Sequence, residues 1–101
     1  MNGRALSYLS IAAKAGKIKS GEYQTESAIR SNEAELVILT VDASEGTKKK
    51  IRNMTSYYKV PLSEICTKEK LGALIGKDMR SCAAITDGNL AAAFLDKLGN
   101  M

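Results

Sequence analysis

The sequence predicts an α/β fold, a three-layer α/β/α sandwich built on about four strands. Three observations lead there. Residues Glu35 to Val41 form an almost unbroken apolar run, the pattern of a central strand covered on both faces. Ser81 to Thr86 reads as a second buried strand. Around these runs, segments of helical spacing alternate with short strands in the order helix, strand, helix, strand, helix, strand, helix, strand, helix. Strands separated by crossover helices call for a mostly parallel sheet with helices on both faces.

Each element has a local reason. Leu6, Leu9, Ala12 and Ala13 recur at helical spacing, with Tyr8 and Ile11 alongside, so a first helix is expected from Gly3 to Ala15, capped by Asn2 and stopped at Gly16. Lys17-Ile18-Lys19-Ser20 reads as a small basic edge strand. Ser20 or Gly21 starts a second helix to about Ser31, with Tyr23, Ala28 and Ile29 expected on its buried stripe and Thr25 nearby. Ser44 is the N-cap of a third helix, with Thr47 where a capping-box acid would sit. That helix runs to about Tyr58 on a thin apolar face of Ile51, Met54 and Tyr57 or Tyr58. Pro61 to Cys66 is a short strand. Thr67 caps a fourth helix, Lys68 to Ile75, whose stripe is Leu71, Leu74 and Ile75 and whose end is Gly76. After the loop 76–80 and the second buried strand, Asn89 begins the last helix, with Leu90, Phe94, Leu95 and Leu98 facing inward.

A chain of 101 residues is expected to form a single domain, 1–101, with one core. Hydrophobic content of 45% is that of a folded protein, so disorder is excluded as the main state. With no Trp and one Phe, the core must come from Ile, Leu, Val, Ala and Met. Cys66 and Cys82 stand far apart without histidine, so free thiols are expected and a zinc site is not. The N-terminus lacks the apolar run of a signal peptide, and no stretch approaches a membrane span. A soluble, cytoplasmic protein is expected.

The charge is +4, but its placement is more telling. Arg4 to Lys19 holds four basic residues and no acid, and no acid lies between Gly46 and Ser63, where Lys48, Lys49, Lys50, Arg52 and Lys59 stand. Acids gather at Glu22, Glu26, Glu33 and Glu35. Two helix starts near a sheet end, flanked by Lys14, Lys17, Lys19, Lys48, Lys49 and Lys50, form a docking surface for phosphate, because helix N-termini expose unpaired N–H groups and the positive end of the dipole.

Catalytic groups are scarce. No histidine is present to act as a general base, and neither cysteine has one as a partner. Gly72-x-x-x-Gly76-Lys77-Asp78 falls one residue short of a phosphate loop, lacks the hydroxyl and lies at a helix end. Asp42 and Asp87 each follow a buried strand, where sites form in α/β sheets. The preferred reading is that each caps a turn or the next helix. A metal-dependent enzyme built on the two acids would lack a third ligand.

The segments A-A-K-A-G-K-x-x-S-G at 12–21, E-L-V-I-L-T-V-D-A-S at 35–44, T-K-K-K at 47–50, Y-Y-K-V-P at 57–61, K-L-G-A-L-I-G-K at 70–77 and A-I-T-D at 84–87 carry a resemblance. Together they resemble the bacterial YlxQ-like proteins of the ribosomal L-seven-Ae/L-thirty-e family, over about residues 3–98. The resemblance implies a three-layer α/β/α sandwich with a mixed, about four-stranded sheet, and binding to kink-turn RNA without catalysis. By position it implies RNA contacts within Gly21, Glu22, Tyr23, Gln24 and Ser27 on the second helix. Asp42, Ala43 and Ser44 would lie beside the RNA, Lys77, Asp78, Met79, Arg80 and Ser81 on a closing loop, and Lys17, Lys19 and Lys48 along the backbone of the duplex. The chain departs from the family pattern G-x-N-E-x-x-K, with Tyr23, Gln24 and Ser27 at the last three specified positions. Gln24 can still donate and accept at a base edge, whereas Ser27 has neither the charge nor the reach of lysine.

The expected molecule is therefore a non-enzymatic binder of structured RNA, ribosomal or ribosome-associated, with no cofactor, no metal, no small-molecule substrate and no membrane partner. The alternative is a protein–protein interaction module on the same fold. A monomer is expected because no long apolar surface stripe is evident.

Overall fold

The computed structural model describes residues 3–99, so the expected Asn2 cap lies outside the described residues. The elements are α1 (Gly3–Lys14), β1 (Ile18–Ser20), α2 (Glu22–Arg30), β2 (Leu36–Leu39), α3 (Glu45–Tyr58), β3 (Leu62–Glu64), α4 (Lys68–Ile75), β4 (Cys82–Ile85) and α5 (Gly88–Gly99). The order of elements is the one the hydrophobic pattern predicts.

One four-stranded sheet has the order β1-β4-β2-β3. Strand β4 pairs antiparallel with both β1 and β2, and only β2 and β3 run parallel. The sheet is mixed, and the mostly parallel arrangement inferred from the crossovers is corrected. The reason lies in the β3–β4 connection. Helix α4 has eight residues, about 12 Å of rise, and the loop after it folds straight back. Arg80 N–H donates to the carbonyl of Lys68 at 3.2 Å, so the chain returns to the start of α4 before β4 begins. Strand β4 therefore enters from the end at which β2 and β3 finish.

Residues Leu36, Ile38, Ala83 and Ile85 point to one face of the sheet and pack with Leu9, Leu71, Ile75, Ala91 and Phe94 of α1, α4 and α5. Val37, Leu39, Cys82 and Ala84 point to the other, against Ala28, Ile29 and Ile51 of α2 and α3. This alternation is the period-two geometry of a strand covered on both faces. Ala83 and Ala84 on a central strand keep the sheet thin there.

Two expected inward residues, Tyr23 and Leu95, face outward, and of the alternatives Tyr57 and Tyr58 it is Tyr58 that turns inward. Tyr23 is 85% exposed, and the buried stripe of α2 is Thr25, Ala28 and Ile29 instead. Tyr57 is exposed while Tyr58 packs on the core, and Leu95 is also exposed. Tyr57 and Leu95 each lie about 100° around the helix from a neighbour packed in or on the core, Tyr58 and Phe94, whereas Tyr23 stands on the side of α2 away from Thr25, Ala28 and Ile29. Both cysteines are free, and burial pushes both thiols up, away from reactive thiolate.

Candidate nucleic-acid interface

The N-termini of α2, α3 and α4 gather at one end of the sheet. Beside them, Gly21 N–H donates to Cys82 O at 3.0 Å and Thr40 N–H to Ser81 O at 2.9 Å. Two of the three starts are closed by side chains. In α3, Ser44 Oγ accepts from Thr47 N–H at 3.2 Å. In α4, Thr67 Oγ1 accepts from Lys70 N–H at 3.2 Å and Asp42 Oδ1 from Lys68 N–H at 2.9 Å. Helix α2 differs, because its N-cap is Gly21, at φ 90° and ψ 162°, with no side-chain cap bond. Its first-turn N–H groups keep their capacity for an anion or a base edge.

That start opens into a groove of about 550 Å³ lined by Ser20, Gly21, Glu22, Tyr23, Gln24, Met79, Arg80 and Ser81. Arg80 lies over Gly21, its side chain 4.0 Å from where a Cβ would stand. A smaller recess of about 300 Å³ on the other side of α2 is lined by Lys19, Tyr23, Gln24, Ser27, Ala28 and Glu33. Tyr23 and Gln24 thus stand on the ridge between two hollows, with Met79 exposed across one of them.

The loop 77–80 is held close to α4. Lys77 N–H donates to Gly72 O at 2.8 Å, and a Cβ on Gly72 would overlap the Asp78 carbonyl. Only glycine lets the loop lie there. Gly76, at φ 74°, turns the chain into it.

Charge on this end is sorted by pairing. Glu22 would repel phosphate, but Thr47 Oγ1 donates to its carboxylate at 2.6 Å and Lys50 Nζ lies 3.3 Å away. The Thr47 bond first, and then Lys50, hold the Glu22 carboxyl below its ordinary range against the opposing effect of burial. Lys50 also reaches Glu26 at 3.2 Å, and Arg30 reaches the same acid at 3.2 Å. Arg52 grips Glu64 through two nitrogens, at 2.6 and 2.7 Å. Among the described residues, Lys17, Lys19, Lys77 and Arg80 have no carboxylate partner, so the cations nearest the groove are uncommitted.

The structure thus brings together Lys19, Gly21, Glu22, Tyr23, Gln24, Ser27, Met79, Arg80 and Ser81. It does not bring every expected residue to the groove. Lys17 and Lys77 are exposed outside both hollows. Ala43 is buried in the α2–α3 core, so its side chain is corrected from surface to packing. Asp87 Oδ1 accepts from Leu90 N–H at 3.0 Å and caps the next helix as expected, whereas the Asp42 carboxylate caps α4, 26 residues on, and not its own turn or the next helix. Lys48 is largely covered and lies 3.9 Å from Glu45. Residue-by-residue reading missed Ser20 as a groove wall, Thr47 and Lys50 as the partners of Glu22, and Gly72 as the seat of the loop. Only the spacing of Ser44 and Thr47 hinted at the first link of that clamp.

This three-layer sandwich, with the start of α2 and the returning loop at one end, belongs to a chain whose residues 4–94 match a family of known proteins. The chain belongs to the ribosomal protein L7Ae/L30e/S12e/Gadd45 family. It is 40% identical to the RNA-binding protein YlxQ of Bacillus subtilis (strain 168) over 89% of this chain and 90% of that one. It is 35% identical to the RNA-binding protein YlxQ of Enterococcus faecium over 84% of this chain and 82% of the relative. A solved structure of a protein of unknown function from Bacillus halodurans C superposes with TM-score 0.88 at 30% identity, covering 95% and 97% of the two chains. The Giardia lamblia 15.5kD RNA binding protein shares the fold, with TM-score 0.80 at 22% identity over 94% of this chain and 82% of its own.

Proposed function

We propose that this chain is a single-domain, non-enzymatic RNA-binding protein that recognises structured, kink-turn-like RNA in a ribosomal or ribosome-associated setting. The observation that carries the reading is the start of α2. It has no side-chain cap and opens into a groove between the exposed Tyr23 and Gln24 on one side and Met79, Arg80 and Ser81 on the other. The names of the two bacterial relatives support an RNA partner.

The mechanism is capture of a bent conformer. A sharp kink brings phosphates together, and their repulsion makes the bend costly in the free RNA. Uncommitted lysines and a helix N-terminus lower that cost, so the bent state is bound better and its population rises. Gln24 carries a donor and an acceptor for a base edge, and Tyr23 offers a ring for stacking on an unpaired base. Arg80 and the uncapped N–H groups of α2 face phosphate.

The test is a titration against a kink-turn RNA and a copy with its G·A pairs replaced, at ~150 mM salt with magnesium. Selective tight binding is the expected result. Equal weak binding to both would overturn kink-turn readout, and recovery from cell extract of a protein partner that resists nuclease would favour an interaction module instead.

A further inference from the structure

Helix α3 turns an outer face to solvent that the groove does not use. Lys49, Asn53, Ser56 and Tyr57 share it, since positions four, seven and eight residues on from Lys49 fall within an arc of about 100°. Tyr57 is 78% exposed, yet its ring is not loose. It packs edge-on against Tyr58, with centroids 4.9 Å apart and planes at 77°. Tyr58 itself is anchored in the α2–α3 core, so the outer ring is held on a fixed support. Lys59 follows at the helix end in the left-handed conformation, fixed by the bond from Val60 N–H to Thr55 O at 2.9 Å. No acid occurs between Gly46 and Ser63, and the next one, Glu64, is neutralised by Arg52. Lys49 and Lys59 have no carboxylate partner among the described residues.

We infer that this outer face of α3 is a second docking surface, for a short single-stranded RNA segment that stacks a base on Tyr57 and lays its phosphates along Lys49 and Lys59. A supported aromatic ring between uncompensated cations is the arrangement that takes unpaired nucleotides of any sequence. The rise from Lys49 to Tyr57 is about 12 Å, enough for two or three nucleotides. The first turn of α3 touches the start of α2 through the Thr47–Glu22 bond, so the two surfaces stand on neighbouring helices. The inference rests on the reading that the partner is RNA, but it needs neither the groove nor a kink.

The experiment uses the full chain and a labelled oligouridylate of about eight nucleotides, which has no stem to fill the groove. Tyr57→Ala is expected to weaken its binding about tenfold, within the range for loss of one stacked base. Tyr57→Phe should retain it, because the ring stays. Lys49→Gln with Lys59→Gln should weaken binding and flatten its dependence on salt, whereas Lys97→Gln, on α5 across the sheet, should leave it unchanged. Melting curves of each variant establish that the fold is intact. Unchanged binding in Tyr57→Ala would overturn the inference, and so would equal competition by polyglutamate, which would mean an acidic protein partner without stacking. In a second arm, a kink-turn RNA with a single-stranded extension should bind tighter than the blunt form, and Tyr57→Ala should remove only that gain. A wild-type protein that ignores the kink would sink the groove reading, while the oligouridylate result would still decide this one.

Discussion

The two faces of the sheet are built by different means. On one, α1, α4 and α5 meet through Leu9, Leu71, Ala91 and Phe94, with no side-chain ion pair among the described residues. On the other, the apolar core beneath α2 and α3 is smaller, and the two helices are also joined at the surface by the Thr47–Glu22 bond and the Lys50 bridges to Glu22 and Glu26. Burial is strong and undirected, whereas polar pairs at a surface are weak and oriented. The first face carries more of the stability, and the second also fixes where the charges and N–H groups of the binding end stand. Changes on one face should thus affect melting, and changes on the other should affect affinity and its salt or pH dependence.

The largest effect should come from breaking the packed face. Phe94 is fully buried, so Phe94→Ala should cost about 3–5 kcal/mol, measured by denaturant unfolding. The fraction that stays folded should bind RNA as before, and a loss of affinity beyond the loss of folded protein would blur the division. Gly72→Ala tests a link between the packed face and the groove, because a methyl there must displace the loop that lines the groove. Destabilisation of about 1–3 kcal/mol is expected, together with an affinity loss of at least the same sign in RNA titration. Unchanged binding would mean that the loop position is irrelevant.

Smaller and purely functional effects belong to the other face. Gln24→Ala should lower the preference for the G·A-containing RNA by about 1–3 kcal/mol and leave melting alone. Equal losses on the control RNA would remove the readout role. Lys17→Ala with Lys19→Ala should weaken binding to many RNAs alike and reduce the salt slope by about 0.7–0.9 for each phosphate left without its lysine. An unchanged slope would count against a role for these lysines at the RNA backbone.

The smallest effect concerns acid. The carboxyls of Glu22 and Glu64 are both held below the ordinary value of 4.5, the first mainly by Thr47 and the second mainly by Arg52. Their contributions to stability are present above that value and fade as the pH falls through the lowered folded values. Both pairs are substantially exposed, so solvent screens them and the effect is small. Glu22→Gln should therefore flatten the acid side of a melting-temperature profile slightly and leave it unchanged near neutrality. A profile that matches the wild type throughout would show that the clamp orients α2 without stabilising the fold.

Much of this was legible in the chain. The apolar run at Leu36 to Leu39, the caps at Ser44 and Thr67 and the stops at Gly16 and Gly76 all stand where local chemistry places them. Such signals are local, because a cap bond or a strand period involves residues within a few positions of each other. What was misread is what depends on phase or return. Tyr23 looks apolar, and nothing in the letters separates a ring for the core from a ring for a ligand. The left-handed turns at Asn32 and Lys59 carry no glycine to announce them.

The sequence by itself determined the number, order and type of the elements, the two strands covered on both faces, and the concentration of basic residues before β1 and along α3. Only the tertiary structure decided that β4 runs antiparallel between β1 and β2, that Glu22 is neutralised by residues 25 and 28 positions away, and that α2, alone of the three helices starting at one end of the sheet, begins without a side-chain cap. The division is physical. Propensity, periodicity and capping act over a single turn or strand, whereas pairing order, charge neutralisation and a shared groove depend on which distant surfaces the buried core brings into contact.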